Sequence, residues 1–338
     1  MSDVTRPPRI QDVARLAGVS VATVSRVMSN PAIVAEATRR AVEDAIAQTG
    51  YTLNVAARNL RQQQVGGVLA LVPKLANPFF SVILSGIADV LRGKGLNLLV
   101  LDTVTTGGPD GQAIGTYLTR SHSDGVLVLD GSLDAALFRQ PNCPPVVQAC
   151  EWIAGLDAPR VLANNAEGGR LAIAHLAGLG HRDILHLTGP VENSLTGSRR
   201  EGVLAGLSEF DLPNGGDRLL RGDFSLRSGF DAARQLLAMD RRPTAVFCDN
   251  DEMAIGLLNG LVQGGLRVPE DMSIIGFDNI AMSAYTLQPL TTIRQHRADL
   301  GRRAAETLLT LIEGKTCPDE QILPVELVQR DSTAATVR

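Results

Sequence analysis

Hydrogen-bonding side chains recur between residues 20 and 30 in a pattern suited to binding nucleic acid. The hydroxyl and amide groups that could contact phosphate oxygens are Ser20, Thr23, Ser25 and Asn30. Arg26 adds a guanidinium group, which can bond to O6 and N7 of guanine together. Val21 and Ala22 lack hydrogen-bonding side chains, so they either contact a thymine methyl group or form ordinary helix surface.

A second set of side chains could bind a small polar molecule. Each lies at the expected end of a strand or start of a helix, and the set is Phe79, Phe80, Glu151, Asn164, Arg199, Phe224, Asn250 and Asp278. Their guanidinium, carboxylate and amide groups together supply the donors and acceptors that a polyhydroxylated ligand needs. Phe224 offers an aromatic face on which a sugar ring or a base could stack.

Simpler interpretations of four of these residues stay open. Phe79 and Phe80 could be core residues rather than ligand contacts. Arg199 stands beside another arginine and could lie on a solvated helix surface, while Asp278 could only cap a helix.

Motifs of catalysis and cofactor binding are not found. No G-x-G-x-x-G follows the first expected strand, and the sequence has no P-loop lysine motif. Neither Ser85-Gly86 nor Thr188-Gly189 forms a nucleophile elbow. His181 and His186 lie on either side of an expected strand, a spacing that suits no metal pair. We therefore predict no catalytic residue, no metal and no cofactor, and we expect that the chain is not an enzyme.

The residues suited to nucleic acid require a scaffold, and residues 10–27 have the pattern of two short helices joined by a tight turn. Gly18 stands where the first helix must stop, and Ser20 stands where the second needs a cap. Helical spacing of apolar residues between positions 36 and 48 predicts a third helix. The sequence therefore predicts a helix-turn-helix headpiece over residues 1–50, a shape that places its second helix in a DNA major groove.

Downstream, the pattern changes twice. Residues 51–64 are polar and carry too little apolar surface to pack alone, so we expect a hinge that becomes helical when something orders it. From residue 65 onward, short apolar runs alternate with helical patterns, and the alternation restarts near residue 183. Continuously apolar strands suit parallel sheets covered on both faces, so the fold class is α/β with two doubly wound lobes. A ligand is then expected in the cleft between them.

Charge is distributed unevenly along the 338 residues, whose net charge is −4. Residues 1–63 contain eight arginines and five acidic residues, a net charge of +3, whereas the remainder carries −7. The positive field therefore coincides with the headpiece, where phosphates would be met. The sequence shows no signal peptide, no membrane-spanning run and no C-x-x-C, so we expect a reduced cytoplasmic protein without membrane contact.

Short motifs in a fixed order resemble those of the lactose-repressor (LacI/GalR) family of bacterial transcription regulators. In chain order they are Asp12-Val13-Ala14, Val24-Ser25-Arg26-Val27, Ala57-Arg58-Asn59-Leu60-Arg61, Asn77-Pro78-Phe79-Phe80, Gly180-His181-Arg182-Asp183-Ile184, Asp249-Asn250-Asp251-Glu252-Met253-Ala254, Val268-Pro269-Glu270-Asp271, Ile275-Gly276-Phe277-Asp278-Asn279-Ile280 and Pro289-Leu290-Thr291-Thr292-Ile293. The resemblance covers nearly the whole chain and is specific because the motifs occur together in this order.

The resemblance implies how such a chain would hold DNA. Val21, Ala22 and Arg26 would face base edges, Arg58 would contact DNA from the hinge, and Leu60 would wedge between base pairs of the minor groove. A mere contact between Leu60 and a lobe is the alternative. Paired hinges require at least a homodimer, with a larger oligomer open, on a near-palindromic operator.

The resemblance also implies a periplasmic-binding-protein-like effector and dimerisation domain over residues 65–338. Lobe 1 would span about 65–163 plus 294–322, and lobe 2 about 164–293 plus 323–338. Ala163 departs from the family pattern, because relatives often carry an acidic residue there. We expect a sugar or sugar derivative as effector of a repressor, with a nucleoside as the alternative. A soluble sugar-binding protein or enzyme domain without DNA function is the alternative from another class.

Overall fold

Two units make up the chain, residues 1–63 and residues 64–338. The residues that the computed structural model describes are 8–51, 64–107, 112–213 and 218–336. The predicted hinge helix falls almost wholly outside these ranges, and both Arg58 and Leu60 lie outside the described residues.

The first unit contains the three predicted helices. They are α1 (Ile10–Ala17), α2 (Val21–Ser29) and α3 (Glu36–Thr49), with a short 3₁₀ turn at Pro31–Ile33. Gly18 ends α1 with a φ of 67°, the left-handed conformation that glycine adopts without steric cost. The buried core of this unit contains residues from all three helices: Val13, Ala14, Val24, Val27, Val42 and Ala45. The predicted headpiece is therefore confirmed.

Strands and helices alternate through the second unit. Its strands are β1 (Gly67–Val72), β2 (Asn97–Asp102), β3 (Gly125–Val128), β4 (Val146–Ala149), β5 (Arg160–Ala163), β6 (Ile184–Thr188), β7 (Leu219–Arg221), β8 (Ala245–Cys248), β9 (Ser273–Asp278), β10 (Thr291–Gln295), β11 (Glu320–Leu323) and β12 (Val325–Val328). Its helices are α4 (Pro78–Gly93), α5 (Thr103–Gly107), α6 (Gln112–Gly115), α7 (Asn165–Gly178), α8 (Ser194–Glu209), α9 (Leu226–Leu237), α10 (Asp251–Gln263) and α11 (Arg297–Ile312). Short 3₁₀ helices lie at Ala135–Arg139 and Ala281–Ala284.

The strands form two separate sheets, and each sheet is the centre of one lobe. Lobe 1 has the strand order β11-β5-β4-β3-β1-β2, all parallel. Lobe 2 has the order β12-β10-β9-β8-β6-β7, parallel except for β12, which runs antiparallel to β10. The chain passes between the lobes after β5, after β10 and after β11. The predicted doubly wound, two-lobed α/β architecture is confirmed.

Burial of the central strands explains why they are continuously apolar. Every residue of β1 is buried, because one sheet face packs under α4 and α11 while the other packs under a second cluster of apolar side chains. The same two-faced burial occurs around β8 and β9 in lobe 2. Strands with both faces covered cannot show the alternating polar pattern of a solvated sheet.

One predicted helix is shorter than expected. Residues 113–120 have a helical sequence pattern that predicts about two turns, whereas α6 ends at Gly115. Hydroxyl side chains compete for the local hydrogen bonds: Thr116 donates to the carbonyl of Ala113 at 2.7 Å, and Thr119 bonds to Ser121 at 2.8 Å. No helix in the described part of the chain is long and apolar enough to cross a membrane.

Candidate functional site

Helix α2 presents most of the residues predicted to bind DNA on one exposed surface. Ser20 caps the helix, accepting a hydrogen bond from the Thr23 N–H at 3.1 Å. The residues that α2 and its ends leave exposed are Ser20, Val21, Ala22, Ser25, Arg26 and Asn30, while Thr23 is half-buried. Val24 and Val27 turn inward and join the core of the headpiece. The helix therefore carries an apolar face that anchors it and a second face that is open to a partner.

Three of these predicted residues also have a local structural use. The Ser20 and Thr23 hydroxyls lie 2.9 Å apart and are hydrogen bonded to each other. Asn30 follows the last residue of α2, and its N–H donates to the carbonyl of Arg26 at 2.8 Å. Their side chains sit at the two ends of the helix, where backbone groups and hydroxyls commonly contact phosphates.

A cavity of about 210 Å³ lies between the two lobes. Its wall includes seven of the eight predicted ligand contacts: Phe79, Phe80, Glu151, Arg199, Phe224, Asn250 and Asp278. Most of these follow or end parallel strands, as with Glu151 after β4, Asn250 after β8 and Asp278 at the end of β9. Carboxyl ends of parallel strands meet at one edge of a sheet, so the two sheets together bring these side chains around one space.

Asn164 is the eighth predicted contact, and it does not line the cavity. Its side chain caps α7 by accepting a hydrogen bond from the Glu167 N–H at 3.1 Å. Asn164 does follow a strand, as the sequence predicted. However, α7 begins at the next residue, and the amide oxygen of Asn164 serves as its N-cap. The prediction of Asn164 as a ligand contact is therefore not supported by its position.

Arg199 is buried in the wall of the cavity and is fixed from several sides. Its Nε donates to Asn165 Oδ1 at 2.9 Å, and its Nη1 donates to the carbonyl of Asp249. The guanidinium lies 3.9 Å from the ring centroid of Phe277. Its Nη2 faces the carboxylate of Asp278, 3.7 Å from Oδ1. The interpretation of Arg199 as solvated helix surface is therefore wrong.

Asp278 ends β9 in a strained conformation rather than capping a helix. Its φ is 111°, a backbone conformation that residues other than glycine rarely adopt. Oδ1 accepts a hydrogen bond from Gln295 Nε2 at 2.7 Å. Burial raises the pKa of Asp278 to about 6, against the opposing effect of Arg199 and Arg297.

Phe224 is held rigidly against the backbone of lobe 2. Its φ is 66°, and its carbonyl accepts a hydrogen bond from Asn250 Nδ2 at 2.9 Å. The ring lies so close to Gly189 that an added Cβ there would stand 2.2 Å from Cζ. Asp249 fixes Gly189 in turn, accepting its N–H at 2.8 Å. The ring is therefore a preformed aromatic wall of the cavity.

Asn250 was predicted as a ligand contact, but its side-chain amide is bonded to protein groups at both ends. Its Oδ1 caps α10 by accepting the Met253 N–H at 2.9 Å, and its Nδ2 holds the Phe224 carbonyl. Both functional ends of the amide therefore have protein partners, and the residue mainly positions Phe224.

Phe79 and Phe80 belong both to the cavity wall and to the core of lobe 1. They begin α4, which Asn77 caps by accepting the Phe79 N–H at 2.8 Å. The two rings meet edge to face with centroids 5.1 Å apart. Phe79 and Phe80 are therefore core residues that also line the cavity, and their contact with a ligand stays a prediction.

Glu151 is a buried acceptor on the lobe 1 side of the cavity. Its Oε2 accepts the Gly131 N–H at 3.0 Å and Asn193 Nδ2 at 3.1 Å. Asn193 precedes α8 in lobe 2, so the second bond joins the two lobes. Burial raises the pKa of Glu151 to about 7; the Gly131 N–H opposes this rise, and the carboxylate of Asp130 adds to it.

Several residues of the cavity wall were missed by the sequence analysis. They include Lys74, Asn77, Asp130, Ser132, Asn193, Asp223 and Glu252. Lys74 and Asp130 follow β1 and β3, so the strand-end rule that found Glu151 could also have found them. Asn193 lies in a loop before a helix, and no local pattern distinguishes it from other polar loop residues.

The wall of the cavity is acidic. Its carboxylates are Asp130, Glu151, Asp223, Glu252 and Asp278, and its cations are Lys74 and Arg199. One cation, Arg199, already faces Asp278. Within the described residues, no cluster of three or more histidine, cysteine or acidic side chains could hold a metal ion. The arrangement suits a ligand rich in hydrogen-bond donors and without a negative charge.

Comparisons with known proteins agree with this geometry. Sequence models of "Bacterial regulatory proteins, lacI family" and "Periplasmic binding protein-like domain" match residues 9–54 and residues 173–333. The HTH-type transcriptional repressor CytR of Escherichia coli (strain K12) is 37% identical over 329 residues, which cover 96% of each chain.

Solved structures match nearly the full length as well. The lac repressor dimer bound to operator and the anti-inducer ONPF is 30% identical with a TM-score of 0.84, covering 98% of this chain and 100% of that one. The complex of the transcriptional regulator CelR with cellobiose is 30% identical with a TM-score of 0.74, covering 96% of this chain and 99% of that one.

Proposed function

The chain belongs to the LacI family of bacterial regulatory proteins, and from that premise we propose that it is a repressor whose hold on operator DNA is set by a small molecule in the cavity. One observation carries the proposal: the same chain has a capped helix with an exposed arginine and a polar cavity between two lobes. Neither feature resembles a catalytic site, and its relatives are repressors rather than enzymes. Its place of action is then the cytoplasm, where the operator lies.

DNA would be read through the exposed face of α2. Arg26 is the residue able to discriminate bases, because its guanidinium can bond to O6 and N7 of guanine. Val21 and Ala22 are exposed and would lie against base edges, where apolar atoms favour a thymine methyl group. Ser20, Thr23, Ser25 and Asn30 would fix the register through phosphates, and Arg58 and Leu60 would act from the hinge.

A homodimer, or a larger oligomer built from dimers, would present two such helices to a near-palindromic operator. Exposed apolar side chains in the second unit offer surfaces for it. Tyr285 and Leu287, in the loop before β10, are 86% and 82% exposed, and Leu99 and Val100 are exposed on the edge strand β2. Where such side chains form a contiguous apolar patch they commonly mark an interface, so these two places are the candidates that we propose.

The effector would be an uncharged polar molecule, with a sugar or sugar derivative as the first candidate. Five carboxylates against two cations disfavour a phosphorylated ligand, because like charges would meet in a buried space. The structural relative CelR is in complex with cellobiose. A nucleoside is the second candidate, because the rigid ring of Phe224 suits an aromatic base as well as a sugar ring.

Regulation would follow from linkage between the lobes. Each lobe contributes part of the cavity wall, so a ligand that binds one lobe arrangement better shifts the equilibrium toward it. Contacts that cross from one lobe to the other are already present. Asn193 bonds to Glu151 at the cavity, and Arg297 Nη2 donates to the Asn279 carbonyl at 2.9 Å.

Fluorescence anisotropy with the full chain tests the DNA part of this proposal. The DNA fragments are the region upstream of the chain's own gene and a shuffled sequence of equal length. We expect tight binding to the first, with an affinity that falls steeply as salt is raised because counterions are released. Equal affinity for both fragments at every salt concentration would contradict the proposal.

A further inference from the structure

Glu151 offers the cavity one oxygen, and its other oxygen is occupied. Both fixed donors, the Gly131 N–H and Asn193 Nδ2, bond to Oε2 at 3.0 and 3.1 Å. The residue lines the cavity, and no hydrogen bond within the described residues ends on Oε1. The carboxyl plane is therefore fixed by the protein, while Oε1 is left for a ligand.

The backbone keeps the side chain in this position. Cys150, directly before Glu151, has a φ of 61°, a conformation that costs energy for a residue with a side chain. The Glu151 N–H donates to the Ala149 carbonyl at 2.8 Å, closing a tight turn at the end of β4. Gly131 packs against the carboxylate, since an added Cβ would stand 3.2 Å from Oε2.

Asn193 approaches from lobe 2 and is itself immobilised. Its Oδ1 caps α8 by accepting the Leu195 N–H at 2.9 Å, which directs Nδ2 toward Glu151. The next residue forms a second bond between the lobes, because Ser194 Oγ accepts the Trp152 N–H at 3.4 Å. Glu151 therefore lies where the lobes meet and also where the ligand would bind.

We propose that Glu151 Oε1 selects the effector by accepting a hydrogen bond from an amino or hydroxyl group of the ligand, and that binding releases a proton from Glu151. The inference rests on the proposed function, since it assigns a specificity-determining residue within the same cavity. A ligand with a carbonyl or phosphate oxygen at this position would meet the ionised form acceptor against acceptor, so it would bind only the protonated form and release no proton.

The groups around Glu151 determine whether its protonated or its ionised form is favoured in the free protein. Asp130 follows β3 and favours the protonated form, as does burial, whereas Arg199 on α8 favours the ionised form. Cys150 beside it is buried, and burial raises the pKa of that thiol well above its ordinary value, so it stays neutral. Asp278 across the cavity is already paired with Arg199.

Near neutral pH the pKa of Glu151 therefore leaves a mixture of both forms. A donor on the ligand stabilises the carboxylate, so affinity should rise as the pH rises toward the pKa of the free protein and level off above it.

Matched ligand pairs test the selection with the full-length protein. The probes are cytidine and uridine, adenosine and inosine, and ribose and 2-deoxyribose. The first two pairs exchange an exocyclic amino donor for a carbonyl, and the third removes one hydroxyl; the member with that amino or hydroxyl group is the donor-bearing member. A thermal-shift screen finds which members bind, and titration calorimetry in two buffers of different ionisation enthalpy then measures affinity and proton release. We expect the donor-bearing member of the pair that binds to be favoured by about tenfold or more.

Substitutions assign the effect to Glu151. Glu151→Gln keeps the shape, but its amide oxygen would accept the Gly131 and Asn193 donors and its NH2 group would face the ligand. The preference within the pair should therefore be lost or reversed, and the buffer dependence should disappear. Asn193→Ser retains a helix cap but is too short to reach Oε2, so the preference should weaken while proton release persists. Glu192→Gln makes the same chemical change one residue from Asn193 at an exposed position outside the cavity wall, and should alter neither.

The outcomes separate this inference from the proposed function. A ligand that binds Glu151→Gln with unchanged preference and unchanged proton release overturns the role of Glu151 alone. If no member of the panel shifts the melting temperature, both the proposed effector classes and this inference are overturned.

Discussion

The exposed face of α2 and the cavity between the lobes hold the two sets of candidate functional residues in opposite surroundings. On α2 the side chains of Val21, Ala22 and Arg26 are exposed, and the helix is anchored through its other face. In the cavity Arg199 and Asp278 are buried, charged and bonded to several protein groups. The difference implies that substitutions of Val21, Ala22 and Arg26 alter binding alone, whereas substitutions in the cavity alter binding and stability together.

The largest effect on stability is expected for Arg199→Ala. Removing the guanidinium leaves the Asp278 carboxylate and the Asp249 carbonyl without their buried partner. Loss of one member of a buried ion pair costs about 3–5 kcal/mol. Urea unfolding measures this cost. Arg227→Ala, at a side chain that is 77% exposed, is the control and should change the free energy of unfolding far less, because an exposed ion pair contributes little. Equal effects of the two substitutions would remove the contrast between exposed and buried sites.

Arg26→Ala tests the exposed face of α2. We expect the discrimination between operator and shuffled DNA to fall by about 1–3 kcal/mol. The free energy of unfolding should stay within about 0.5 kcal/mol, because the side chain is exposed. Arg40→Ala on α3 removes an exposed arginine of the same unit and is the matched control. A large loss of stability in Arg26→Ala would show that α2 is not a purely binding surface.

Gly189→Ala tests whether ligand binding depends on the position of the Phe224 ring, without changing a residue that is predicted to contact the ligand. The new methyl group would meet the Phe224 ring and displace it, at a cost of about 1–3 kcal/mol in stability. Ligand affinity should fall as well, because the ring would leave its place in the wall. Gly197→Ala on α8 has no neighbour within 4 Å and should stabilise the protein slightly. Unfolding curves and thermal shifts of both variants check the pair. An unchanged Gly189→Ala variant would contradict the rigid position of Phe224.

The smallest effect is expected at the N-cap of α2. Ser20→Ala removes the acceptor of the Thr23 N–H and should destabilise the headpiece by about 1 kcal/mol. Ser20→Gly should cost only a few tenths, since glycine is tolerated at this position. Circular dichroism during thermal unfolding of the full chain measures both. If alanine costs no more than glycine, the hydroxyl is not acting as a cap.

Local patterns predicted the headpiece well because its structure depends on neighbours in sequence. Gly18 and Ser20 mark the turn and the cap by residue type alone, and the structure places them as expected. Apolar runs likewise located the central strands of both sheets, since burial on both faces leaves a direct signature in the sequence.

The cavity was predicted only in part, because its geometry depends on contacts between distant residues. Arg199 bonds to residues that lie 34 and 50 positions away, so its burial left no local pattern. Asn164 follows a strand, as the ligand contacts do, but a helix begins immediately after it. Asn193 was missed because its partner, Glu151, lies in the other lobe.

Operator affinity measured with and without a saturating ligand tests the central claim most directly. The full chain is titrated onto labelled operator DNA in the absence and presence of the ligand that raises its melting temperature most. A coupling between the two sites predicts a change in Kd of about five- to 150-fold, in either direction. Asn193→Ser, which breaks the bond between the lobes at Glu151, should reduce that change. The same Kd with and without ligand, while the ligand still binds, would contradict the account.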